Sequence, residues 1–209
     1  MINDSLEYLL KIQQSLNEYQ EKIFNLNGYV VFKKFLSELA LDEIVTFWTN
    51  PEIDYYFADK IANKDVNEKS PPYMYFGKTN FDKSHCTGIW NRPLDDLTHD
   101  LAMKVSMIRN QISGQPLYHG LGTNSEWVNQ YRVCRTVSNG EAVKKHSDFM
   151  EEFRSDPTGS HLFDPSRLQA TLALSSPGKD FQKGGFYLEI DGEEVFMADL
   201  GVDAGDLIL

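Results

Sequence analysis

The stretch Gly185-Phe186-Tyr187-Leu188-Glu189-Ile190-Asp191-Gly192-Glu193-Glu194-Val195-Phe196-Met197-Ala198 decides the fold class. Two short runs rich in aromatic and branched residues are separated by Asp-Gly. That dipeptide favours the two-residue turn whose twist matches paired strands. The spacing predicts a hairpin of Gly185–Ile190 with Glu193–Ala198. Working outward, Arg167–Ser175 reads as the strand before it, and Gly205-Asp206 opens a last apolar run, Leu207-Ile208-Leu209. Upstream, Tyr131–Val137 and Val143–Phe149 read as strands around the turn signal Ser138-Asn139-Gly140. A loop rich in Asp, Pro, Gly and Ser follows from Ser155 to Ser166.

About six short strands joined by turns predict an antiparallel sandwich or barrel. A double-stranded jelly roll takes eight strands. The chain is therefore expected to be a fragment, two strands short, with the rest following Leu209. An apolar strand left unpaired at a sheet edge would invite aggregation.

The first part reads as helical. Leu6, Leu9, Leu10, Leu16 and Ile23 recur at helical spacing between Asp4 and Phe24, and Asp4 with Glu7 forms a capping-box pattern. Asn27-Gly28 breaks it, and Tyr29-Val30-Val31-Phe32 reads as a short strand. Ser37 is placed to cap a second helix through Leu39, Leu41, Ile44, Val45 and Trp48, ended by Pro51. From Tyr55 to Gly88 the signals are mixed. A third helix is expected from about Leu94 to Ile112, stopped by Ser113-Gly114-Gln115-Pro116. The expected organisation is one structural domain. Residues 1–126 form a helical support region with an early strand at 28–32, and 127–209 form an incomplete β core.

Composition narrows the function. The chain has 209 residues, 41% hydrophobic and 24% charged, ordinary for a globular domain. Its net charge of −11 opposes phosphate backbones, so a broad nucleic-acid surface is not expected. No run approaches the roughly 20 apolar residues of a membrane helix. The N-terminus is polar and periodic rather than a signal peptide, so a cytoplasmic protein is expected. Cys86 and Cys134, without CxxC spacing, suggest neither a disulfide framework nor a zinc knuckle. They are expected to be reduced.

The sharpest chemical feature is His146-Ser147-Asp148. On a strand, residues i and i+2 share a face, so an imidazole and a carboxylate project together. Two His and one carboxylate on one face of an octahedron hold Fe(II) in non-haem oxygenases and leave positions open. An HxD pair by itself is common, and its surroundings give it weight.

Four segments in order carry a resemblance. Asn27-Gly28-Tyr29-Val30-Val31-Phe32-Lys33-Lys34-Phe35-Leu36-Ser37 comes first. Asn139-Gly140 stands just before HxD. Arg167-Leu168-Gln169-Ala170-Thr171-Leu172-Ala173-Leu174 is followed by Gly184-Gly185-Phe186. Gly205-Asp206-Leu207-Ile208-Leu209 comes last. In this order the sequence resembles the 2-oxoglutarate-dependent oxygenases of the prolyl-hydroxylase and phytanoyl-CoA hydroxylase type. The resemblance implies a mainly β fold with flanking helices, a double-stranded β-helix of the jelly-roll, cupin-like kind.

It also implies Fe(II) held by His146, Asp148 and a distal His expected after Leu209. 2-Oxoglutarate would chelate the iron, with its far carboxylate on an Arg or Lys also expected beyond Leu209. Dioxygen would split the co-substrate into succinate and carbon dioxide and oxidise a C–H bond, with ascorbate as reductant in vitro. His85, His99, His119 and His161 are not placed to serve as the distal ligand. Halogenating relatives carry a small residue at the carboxylate position. Asp148 therefore implies hydroxylation, desaturation or ring closure.

For the co-substrate the candidates are Arg132, Thr136, Thr171 and Tyr187; for the substrate, Arg167 and Gln169. Arg132, Cys134 and Thr136 alternate on one strand face, although a surface ion pair also accounts for Arg132. Arg167, Gln169 and Thr171 form a polar stripe that suits either an oxoacid at a barrel mouth or a solvated sheet face. Thr136 stands where prolyl hydroxylases often carry an aromatic residue, a departure from the pattern. The expected activity is oxidation of a small molecule at an unactivated C–H bond. The alternatives are a protein hydroxylase acting on prolyl, lysyl or asparaginyl residues, and a non-catalytic jelly-roll binding or sensor protein.

Overall fold

The computed structural model describes residues 2–26, 28–49, 56–57, 73–76, 84–89, 96–119, 131–136 and 168–209. The expected strand Val143–Phe149, the Asn139-Gly140 turn and the 155–166 loop lie outside them. The chain divides into two compact units. One comprises Met1–Phe47, Lys104–Leu117 and Arg167–Leu209; the other comprises Trp48–Met103 and Tyr118–Ser166.

The first unit begins with helix α1 (Ile2–Gln14), a turn at Ser15, helix α2 (Leu16–Gln20) and a π-helical turn, Glu21–Asn25. Helix α1 starts two residues before Asp4, so Asp4 does not cap it. Glu7 instead pairs with Lys11 one turn on, 3.1 Å away. The stripe that packs inward is Tyr8, Leu9, Ile12, Leu16, Tyr19 and Ile23, with Ile12 fully buried. Leu10 falls off this stripe and is 64% exposed, because helical spacing from Ile12 turns it outward.

Strand β1 (Val31–Phe32) follows, then helix α3 (Glu38–Thr49). The Ser37 hydroxyl accepts from the Ala40 N–H at 3.3 Å, the cap anticipated from sequence. Helix α4 (Asp96–Ile112) begins in the second unit and ends in the first. At its end Gly114 N–H donates to Gln111 O and Gln115 N–H to Asn110 O, closing a Schellman motif. Gln20 Nε2 caps the Ile112 carbonyl at 2.9 Å, and Gln111 Nε2 reaches Gln13 Oε1 at 2.8 Å. These bonds tie the end of α4 to α1 and α2.

Strands β6 (Thr171–Leu172) and β9 (Leu207–Ile208) complete a three-stranded antiparallel sheet in the order β1-β9-β6. The apolar run at 207–209 therefore lies in the centre of a sheet, not at an edge. Val30 and Leu209 extend the ladder with two more backbone bonds, 2.8 and 3.0 Å. Alternation then sets both faces. Val30, Phe32, Leu207 and Leu209, with Leu168, Ala170 and Leu172, pack with Ile12, Ile108 and Ile112 of the helices. Tyr8 meets Phe32 and Phe35 edge-to-face, and Tyr19 meets Phe32 the same way. Tyr29, Val31, Ala173 and Ile208 pack the other way with Phe181, Phe186, Met197, Leu200 and Val202.

The anticipated hairpin is present as β7 (Tyr187–Ile190) and β8 (Glu193–Phe196), with Ile190 paired to Glu193. Asp191 and Gly192 both have positive φ, 53° and 85°, as the turn type requires. The strand expected over Arg167–Ser175 is pared to two residues. Its flanks follow the sheet through single bonds such as Ala173 N–H to Asp206 O.

The second unit carries a four-stranded sheet, β2 (Tyr56–Phe57), β3 (Tyr73–Phe76), β4 (Ser84–Ile89) and β5 (Tyr131–Thr136), in chain order. Only β2–β3 is parallel. Strands β2 to β4 fall where the sequence signals were mixed. Tyr73-Met74-Tyr75-Phe76 is apolar throughout, and Ser84–Ile89 is polar with a glycine, so neither shows a clean period of two. In the same unit Trp48 Nε1 donates to the Thr98 hydroxyl at 3.0 Å, and both residues are buried.

Candidate functional site

Arg132 and Thr136 lie on β5, and the β4–β5 register tells what shares their face. Gly88 opposes Arg132, Cys86 opposes Cys134, and Ser84 opposes Thr136. Partners in a ladder share a face. Through β3 and β2 the same face continues with Met74, Phe76 and Tyr56. The opposite face holds Phe57, Tyr73, Tyr75, His85, Thr87, Ile89, Tyr131, Val133 and Arg135. The richer set of aromatic and branched residues stands on the face opposite Arg132. Arg132 and Thr136 are four residues apart, about 13 Å along the strand. That exceeds the length of a five-carbon diacid, so both serve one such ligand only if the long Arg132 stem spans the gap.

Thr171 and Gln169 lie in the other unit. Thr171 is half-buried on β6 opposite Ile208, and Gln169 is exposed just ahead of it. Alternation puts both on the sheet face of Ala173 and Ile208, away from the helices. Tyr187 on β7 is half-buried with its ring 5.4 Å from that of its ladder partner Phe196. No hydrogen bond is needed to explain its position. Arg167, His146 and Asp148 fall outside the described residues. The described candidates are thus brought together only in part. Arg132 and Thr136 share one strand face, while Thr171 and Tyr187 belong to different sheets.

The sequence reading passed over the most tightly held carboxylate among the described residues. Asp206 is 1% exposed. It accepts from the backbone N–H groups of Lys34 and Asp203, each at 2.8 Å, and from the Lys33 ammonium. The same ammonium donates to the Gly201 carbonyl. Gly205 makes this possible. Its φ of 89° turns the chain, and a Cβ there would stand 3.3 Å from the Leu36 carbonyl oxygen. Burial pushes the Asp206 carboxyl up, but the Lys33 ammonium and the two N–H groups outweigh it and hold the group below the usual carboxylate range. The Tyr8 phenol is pushed up to about 12, first by burial, then by Tyr19 and the Asp206 charge. With its oxygens occupied by donors, Asp206 is a fastening between β1 and β9 rather than a proton acceptor for a substrate. The signal that could have flagged it was Gly-Asp before an apolar run, two features that place a short carboxylate at a strand entrance.

A hollow of about 340 Å³ is lined by Gln13, Leu16, Gln111, Gly114, Gln115 and Leu117. Its lining holds amides and leucines but no ionisable side chain, so it offers no acid–base chemistry. Among the described residues no group of three His, Cys, Asp or Glu could hold a metal ion. His146 and Asp148, an imidazole and a carboxylate, lie outside the described residues. Among the described residues no helix is long and apolar enough to cross a membrane. Comparison with protein-family models, curated proteins and solved structures finds no match.

Proposed function

We propose that this chain is a non-haem Fe(II), 2-oxoglutarate-dependent oxygenase of jelly-roll architecture that acts on a small molecule. The observation that carries the reading is the order of the four motif segments around His146-Ser147-Asp148. The reading is supported by the pairing of β9 between β1 and β6, which joins the first, third and fourth segments in one antiparallel sheet. Iron, when bound, supplies the means to activate dioxygen. His146 and Asp148 would hold it, with a third ligand from a histidine. In the halogenating members of the family that the sequence resembles, a small residue stands at the carboxylate position, so Asp148 favours hydroxylation, desaturation or ring closure.

The protein's own part is placement. Arg132, Thr136, Thr171 and Tyr187 are the candidates to orient the 2-oxoglutarate carboxylates, and Arg167 and Gln169 to meet the substrate. A guanidinium suits a carboxylate because its fork donates two parallel hydrogen bonds. The cytoplasm, which supplies both iron and 2-oxoglutarate, is the compartment this reading assigns.

The test uses the full-length gene product with Fe(II), 2-oxoglutarate and ascorbate. Succinate formation should follow iron loading, and His146→Ala and Asp148→Ala should each lower iron affinity and turnover at least roughly tenfold. Retention of full iron affinity in both variants would overturn the assignment.

A further inference from the structure

We infer that Cys86 and Cys134 are the two halves of a reversible cross-strand disulfide, formed by exchange with a low-molecular-weight disulfide such as oxidised glutathione. The carrying observation is the β4–β5 register, in which these two residues are direct partners in an antiparallel ladder. They lie about 50 residues apart in sequence, and they are the chain's two cysteines. Direct partners in such a ladder have Cα atoms about 4.5 or 5.5 Å apart, depending on the hydrogen-bonding position. Both values fall within the roughly 4.4–6.8 Å that a disulfide spans. Partners also share a face, which a bridge requires.

Arg132 stands two positions from Cys134 in β5, and a cation near a thiol favours the thiolate that attacks a disulfide. Gly88 and Ser84 stand two positions either side of Cys86 in β4, and Phe76 is its ladder partner on β3. The reaction balances simply. One thiolate attacks a sulfur of oxidised glutathione, forming a mixed disulfide and releasing glutathione. The second thiolate then displaces the bound glutathione. Two thiols become one disulfide and lose two protons, while the small disulfide is reduced to two thiols. A reversible bridge of this kind is the form in which disulfides occur in a reducing compartment. The inference rests on strand register and stands apart from the iron reading.

The experiment uses the whole chain, reduced and then equilibrated in glutathione mixtures of increasing oxidised fraction. Remaining thiols are trapped by alkylation. The expected product is a monomer about 2 Da lighter, with no alkylated thiol and no glutathione, restored by dithiothreitol. Unreduced proteolysis should give one linked pair of peptides containing Cys86 and Cys134. In denaturant the fraction bridged at equal poise should fall, with an equilibrium constant at least roughly tenfold lower, because the ladder no longer holds the partners together. In Cys86→Ser, Cys134 should retain its glutathione. Two stable glutathione adducts, two alkylated thiols at full oxidation, a covalent dimer, or a bridge that forms equally well in denaturant would each overturn the inference. The wild-type measurements decide it even if the variant fails to fold.

Discussion

The three-stranded and the four-stranded sheet solve the same problem by opposite means. In the first unit β1, β9 and β6 are paired over only two residues each. Ladders so short cannot hold their own register. The sheet is fixed instead by side chains packed on both faces and by the Asp206 fastening. In the second unit β4 and β5 pair over six residues. There the backbone ladder itself sets which residues meet, and a slip of one position would turn every side chain to the other face. The difference teaches where each unit is vulnerable: the first to loss of core volume or of one buried charge, the second to anything that alters strand pairing.

The sharpest way to break this comparison is Leu207→Ala. Leu207 is fully buried in the central strand, and its truncation should cost about 4 kcal/mol in denaturant unfolding of the intact chain. A loss under about 1 kcal/mol would show that side-chain packing does not hold the first sheet. Oxidation of Cys86 and Cys134 should act on the other sheet, raising stability by about 3 kcal/mol. Hydrogen exchange should slow in β4 and β5 and stay unchanged in β1 and β9. Slowing in both would erase the distinction between the units.

Asp206→Asn should cost about 2 kcal/mol at neutral pH, because an amide cannot accept from both N–H groups and the ammonium as a carboxylate does. The sign with pH follows from its lowered folded value. The carboxylate's contribution is complete above the unfolded value of about pH 4 and is lost as pH falls through the lower folded value. Wild type and variant should therefore converge in stability in acid, and a constant gap down to the acid limit would contradict the assignment. Lys33→Met should have the smallest effect, under about 1 kcal/mol and reduced by salt, because the lysine side chain is 55% exposed. A larger loss would mean that the ammonium, not the N–H groups, fastens Asp206.

How much of this could be read from residues alone depends on the range of each signal. The Asp191-Gly192 turn, the Ser37 cap, the Schellman stop at Gly114 and the span of α4 rest on neighbours within a few positions, and all were legible. The Asp4 cap failed because the helix begins earlier than its polar signature suggested. Strands β2 to β4 escaped because a sheet can recruit segments that lack alternation when partners satisfy their backbone groups. Of the candidate site, the residue types and their order were legible, and the spatial grouping was not. Strand spacing placed Arg132 and Thr136 on one face, but it did not say that Gly88, Cys86 and Ser84 of β4 share that face.

The sequence by itself determined the local grammar of the chain: where Ser37 caps α3, where α4 stops and where the hairpin turns. Only the tertiary structure decided that Leu207-Ile208 lies between β1 and β6, that Asp206 is fastened beneath Lys33 and Lys34, and that Cys86 faces Cys134. The physical reason is the distance over which each choice is made. A cap or a turn is settled by hydrogen bonds among adjacent residues. Strand register is settled by burial and pairing between segments far apart in the chain, and no local pattern carries that information.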